Sequence, residues 1–107
     1  MPTFADFASL RIRVGTVTRA ELNEGARASA YQLWIDVGDE ELQSSAQVVE
    51  RSSVTDLVGS QGVAVTGFTP LRVAGFRPDV LILGVETGHG VVLLGVDAPV
   101  DPGSAVS

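Results

Sequence analysis

Two six-residue runs near the C-terminus, Val80-Leu81-Ile82-Leu83-Gly84-Val85 and Val91-Val92-Leu93-Leu94-Gly95-Val96, carry no polar side chain. A strand in a small closed barrel buries only its inner face, so a strand that is apolar on both faces demands a second covering surface. The N-terminal helix supplies that cover, or another copy of the chain does, or both. A second copy is the more economical source, because a self-complementary patch related by a two-fold axis closes after two subunits and leaves nothing sticky exposed. The two runs therefore predict a hairpin turning at Thr87-Gly88-His89-Gly90, and a homodimer.

The rest of the chain has the rhythm of a compact all-β protein, with glycine and short polar clusters separating stretches rich in Val, Ile and Leu. Its 107 residues and 45% hydrophobic content suffice for one domain spanning 1–107. Thr3 followed by Asp6 reads as a capping box, and Phe7, Ala8 and Leu10 fall at helical spacing, which predicts a short helix over about 3–10. From Leu10 to Ala20 the period becomes two: Ile12 and Val14 lie on a core face, while Arg11, Arg13, Gly15, Val17 and Arg19 lie on the other. The same alternation sets Tyr31, Leu33, Ile35 and Val37 against Gln32, Trp34 and Asp36. Shorter strands are expected at Gln43–Val49 and Gly62–Phe68, separated by one capped helical turn that Gly59 ends. The tail from Ala98 to Ser107, with Pro99, Pro102 and Gly103, is expected to be irregular or to form a closing edge strand.

Most routes to catalysis lack their residues. The chain has no cysteine, which removes disulfides, thiolate metal sites and cysteine nucleophiles together and suits a reducing cytoplasm. Its one histidine, His89, stands in a hairpin loop with no nucleophile or second metal ligand at a recognisable spacing. Asp39, Glu40 and Glu41 share a solvated turn, whereas paired acid and base work needs contrasting environments. Gly59-Ser60-Gln61-Gly62 lacks the lysine of a phosphate-binding loop. The expectation is a binding protein, not an enzyme, with no cofactor and no metal. No signal-peptide pattern and no apolar stretch of membrane-spanning length is found, so a cytoplasmic protein is expected.

What remains is a binding surface drawn from Arg11, Arg13, Arg19, Arg27, Tyr31, Trp34, Arg72, Phe76 and Arg77. Arginine beside aromatic rings can stack bases and pair phosphates, or it can hold an extended peptide whose carboxylates meet guanidinium groups. The formal net charge of -6, with seven arginines and no lysine, argues against a protein that simply coats nucleic acid.

Five segments taken in order, Leu10–Val17, Tyr31–Gly38, Ser44–Val48, Phe68–Phe76 and Asp79–Gly84, resemble the CsaA secretion chaperones, a group within the tRNA-binding-domain family. The resemblance runs from Phe4 to the tail. It implies a five-stranded Greek-key barrel of the OB-fold type, with a short N-terminal helix and C-terminal extension strands, dimerising through its terminal extensions and late strands. It also implies binding of unfolded preprotein segments and of the secretion motor ATPase, with tRNA as the alternative ligand. The positions it marks as lining a ligand groove are Arg27, Ser44, Ser45, Gln47, Arg72, Phe76 and Arg77, and Tyr31 joins them as an aromatic of the binding surface drawn above. This sequence departs from the pattern at Gly67, where asparagine is expected, and at Leu71, where a basic residue is expected; the loop from Leu22 to Ser29 has no lysine. Each departure removes a polar reader or a positive charge, which favours peptide over tRNA because RNA affinity comes largely from neutralised phosphates.

Overall fold

A computed structural model describes residues 1–23, 30–46, 54–66, 80–88 and 90–107. The chain opens with helix α1 (Phe4–Ser9), whose capping box forms as the sequence predicts: Asp6 N–H donates to the Thr3 hydroxyl, and the Asp6 carboxylate accepts from Thr3 N–H at 2.8 Å. Among the described residues, seven strands and a second short helix follow it. They are β1 (Arg11–Asn23), β2 (Ala30–Asp36), β3 (Glu41–Ala46), α2 (Val54–Leu57), β4 (Gln61–Thr66), β5 (Leu81–Ile82), β6 (Gly84–Thr87) and β7 (Gly90–Leu93).

Among the described residues, β3-β2-β1-β4-β5 form one antiparallel sheet, and β6 and β7 pair separately as a hairpin. The long strand β1 serves both halves of the sheet: Arg11–Thr16 pair with β4, and Thr16–Asn23 pair with β2. The sheet curls until β3 and the start of β5 meet, where Val80 N–H donates to the Gln43 carbonyl at 3.3 Å. This is the curled five-stranded sheet of an OB-fold. Its interior is filled by Val17, Leu33, Ile35, Val37, Leu57, Ala64 and Val80, all close to fully buried.

The alternation expected in β2 holds, with Tyr31, Leu33, Ile35 and Val37 buried and Gln32, Trp34 and Asp36 only partly so. That expected in β1 does not: Val17 is buried in the interior, on the side the sequence pattern left to arginine. Two features explain the difference. Over Val14–Val17 both sides of the strand are covered, because Val14 is buried too although it lies outside the interior cluster. A register irregularity between Val17 and Arg19 then turns Arg19 outward and Ala20 inward. Gly15 is required where it stands, because a Cβ there would run into the Ile35 side chain and lie 3.4 Å from that of Val37. Gly15→Val is accordingly expected to lower stability by about 2 kcal/mol, read as a reduced urea midpoint.

The C-terminal apolar runs divide where the sequence suggested continuity. β5 joins the main sheet, while β6 leaves it after Leu83, and the second run is strand only to Leu93. In the hairpin, Val91 and Leu93 pack on the core, whereas Val85 and Val92, directly paired, remain 52% and 36% exposed. Leu81, Leu94 and Val96 add to the exposed apolar surface. Helix α1 buries none of its residues, and the Phe4 and Phe7 rings face one another at 6.1 Å with Phe4 largely in solvent. On the hairpin's outer face Val85 and Val92 are thus left exposed, and α1 does not bury them. No helix among the described residues is long and apolar enough to cross a membrane.

Candidate ligand-binding face

The sheet formed by β1, β2 and β3 has an inner face that is core and an outer face lined with polar side chains. Register places Ser44 opposite Leu33 and Ser45 opposite Gln32. Ser44 therefore points inward and is buried, and Ser45 points outward and is partly exposed. Tyr31, on the same side of β2 as Leu33, belongs to the core. The sequence grouped Tyr31, Ser44 and Ser45 as one ligand surface; the structure divides them, with only Ser45 on the outer face. Arg27, Gln47, Arg72, Phe76 and Arg77 lie outside the described residues.

Around Ser45 the outer face is built by cross-strand neighbours. Arg19 is in register with Trp34, and its guanidinium sits 4.3 Å from the centre of the indole ring. The same guanidinium pairs with Glu21. The Thr18 hydroxyl donates to Glu41 at 2.8 Å, and the Gln32 amide donates to Gln43 at 3.3 Å. The result is a surface offering an aromatic ring, two carboxamides and a hydroxyl, on which the guanidinium of Arg19 is already engaged by a carboxylate. Such a surface can stack a planar group and meet the N–H and C=O groups of an extended backbone. Gln32 and Gln43 were not singled out from sequence. The alternation in β2 would have placed Gln32 outward, and pairing across the Gly38–Glu40 turn would have brought Gln43 beside it.

The other described basic residues of the expected surface, Arg11 and Arg13, stand apart from Arg19. Arg11 is exposed at the start of β1. Arg13 has a side chain only 11% exposed, donates to Asp39 at 3.0 Å and approaches the Val37 carbonyl at 3.5 Å. It anchors the β2–β3 turn at the end of the sheet opposite the Asn23 and Ala30 strand ends, so it is structural and does not join Arg19 in one patch. Among the described residues no three His, Asp or Glu side chains stand close enough to hold a metal ion.

Removing the stacked cation tests how far the pair stabilises the fold. Arg19→Ala is expected to cost less than about 1 kcal/mol, because an exposed cation on a ring contributes little. It should nonetheless change the emission of Trp34, the only tryptophan in the chain.

Comparison with known proteins settles the family. The model of a putative tRNA binding domain matches residues 12–105. The chaperone CsaA from Bacillus anthracis is 46% identical, with a TM-score of 0.92 over 100% of this chain and 99% of that one. The chain belongs to the tRNA-binding-domain family, in its CsaA branch. CsaA from Picrophilus torridus is 35% identical at a TM-score of 0.90, with each chain covered completely. Among curated proteins, the methionine–tRNA ligase of Salinibacter ruber is 35% identical over 104 residues, 97% of this chain. That of Thermotoga maritima is 31% identical over 105 residues, 98% of this chain. This chain spans only 14% and 16% of those two ligases, so the likeness is to an accessory portion of each.

Proposed function

We propose that this protein is a non-enzymatic, dimeric, CsaA-like chaperone of the cytoplasm that holds extended segments of unfolded preproteins. The observation that carries the choice of peptide is the charge state of the outer face of β1–β3. Among the described residues its guanidinium, Arg19, is paired with Glu21 and stacked on Trp34, and Glu41 stands nearby, so this part of the face offers phosphates little free positive charge. The absence of lysine and the net charge of -6 point the same way. A peptide, by contrast, is served by the ring of Trp34 and by the amides of Gln32 and Gln43. Ser45 joins that surface, and Arg27, Gln47, Arg72, Phe76 and Arg77 are the further residues proposed to line it, with the secretion motor ATPase as a protein partner. Two copies would meet through the exposed Val85 and Val92 face, which gives that apolar surface its cover.

Binding of tRNA is the second reading, and the family model that the chain matches favours it. A competition assay separates the two. Labelled tRNA and a signal-containing peptide are offered to the purified protein as salt is raised from about 50 to about 200 mM, a range over which phosphate-driven binding falls steeply. The peptide is expected to remain bound at the upper end. Retention of tRNA there, with no peptide bound, would reverse the assignment.

A further inference from the structure

The C-terminal segment lies along β1 as an added strand. Val14 N–H donates to the Ser104 carbonyl at 2.9 Å, Gly103 N–H to the Val14 carbonyl at 2.7 Å, and Val106 N–H to the Ile12 carbonyl at 2.9 Å. It fills the edge of β1 that β2 leaves free, since pairing with β2 begins only at Thr16. Upstream, the side chain of Gln61 grips the same segment. Its carboxamide donates to the Val100 carbonyl at 2.6 Å and accepts from Val100 N–H at 3.0 Å, while Thr16 Oγ1 holds it at 3.1 Å. Gln61 thus imitates a backbone peptide group and closes a two-bond ring of the kind found between paired strands.

Nearly all of these contacts are made to backbone, and the segment's own side chains contribute little. Asp97 to Asp101 are exposed, as are Ala105, Val106 and Ser107, and only Pro102, Gly103 and Ser104 are partly covered. Pro99 and Pro102 have no N–H, so over residues 99–102 only Val100 and Asp101 carry backbone donors, and that of Val100 goes to Gln61. Beside the clamp, Thr16, Gly59, Gln61, Asp97 and Pro99 border an open depression of about 360 Å³, which leaves room for a larger side chain than the segment supplies. At one point the fit is strict: Gly103 has φ +88° and abuts the Val37 carbonyl, where a Cβ would collide.

We infer that the β1 edge, with the Gln61 carboxamide, is a second peptide-binding site, read through the ligand's backbone and occupied in the resting protein by the chain's own C-terminal segment as an internal ligand. A peptide with glycine at the Gly103 position displaces the segment by strand addition. This rests on the peptide-binding reading above, but it concerns a different edge of the sheet.

The absence of cysteine makes a clean test available. Arg13 and Ala105 face each other as an isolated antiparallel bridge, and the bonds from Val14 to Ser104 and from Val106 to Ile12 make it a non-hydrogen-bonded pair. Such pairs have Cα atoms about 4.5 Å apart, within the range a disulfide spans. In the full chain carrying Arg13→Cys with Ala105→Cys, oxidation locks the segment down and reduction frees it. The probe is a fluorescent peptide with the sequence of residues 97–107. Oxidation is expected to weaken its binding at least tenfold and reduction to restore it. In the otherwise native chain, Val106→Pro removes one bond from the resident segment and should strengthen binding of the same probe about tenfold. Equal binding in the oxidised and reduced forms, or none to the reduced form and to Val106→Pro, would overturn the inference. Either result would leave the competition with signal-containing peptide to be judged by its own outcome.

Discussion

Leu33→Ala is expected to destabilise the protein by about 3 kcal/mol and to lower its Tm by on the order of 15 °C, measured at fixed protein concentration. Leu33 is fully buried at the middle of β2, between Ala20 on β1 and Ser44 on β3. Both cross-strand partners are small, so neither can swing in to fill the space a truncated leucine would leave. The loss therefore combines the transfer of the missing methyl groups with the cost of a cavity. Leu22→Ala serves as the control: Leu22 lies further along β1 but is 52% exposed, and its truncation should stay within about 0.5 kcal/mol. A cost below about 1 kcal/mol at Leu33 would mean that β2 does not run through the centre of the core.

The second large effect concerns association. Val85→Asp combined with Val92→Asp is expected to weaken self-association by about a hundredfold or more, since each unpaired carboxylate would be buried against apolar surface in the dimer. The two positions are directly opposite in the hairpin and both point away from the core. For that reason the single chain should keep its far-UV circular dichroism. If the double variant associates as the parent does, the hairpin's outer face is not the contact, and α1 with its exposed Phe4 and Phe7 becomes the surface to test.

Where hydrophobic period and burial coincide, the sequence was a sufficient guide. Tyr31 to Val37 alternates because one side of β2 meets the core and the other meets the outer-face residues, and the capping box over Thr3–Asp6 is a local signal that needs no tertiary information. β1 defeated the same reasoning. Its middle is covered on both sides, and the irregularity after Val17 reverses the pattern, so Val17 reads as an outward residue and is buried. The late runs were apolar enough to raise the expectation that both faces take cover, but apolarity could not show that Leu83 separates two strands belonging to different sheets.

The site was legible in chemistry more than in placement. Ser44 and Ser45 are adjacent and chemically alike, and only the register with β2 sends one into the core and the other to the outer face. Arg13 and Arg19 are both arginines of β1, yet one is nearly buried against the β2–β3 turn while the other lies over Trp34. Nothing in the one-dimensional pattern marked Gln61, because its partner Val100 is 39 residues away and the contact depends on where the C-terminal segment crosses β4.

Sedimentation equilibrium of the unmodified protein at micromolar concentration tests the central claim most directly. Paired hairpins predict a single species of twice the 11.1 kDa chain mass. A lone 11.1 kDa particle at that concentration would mean that the exposed valines meet no second copy, and the dimeric account would fall.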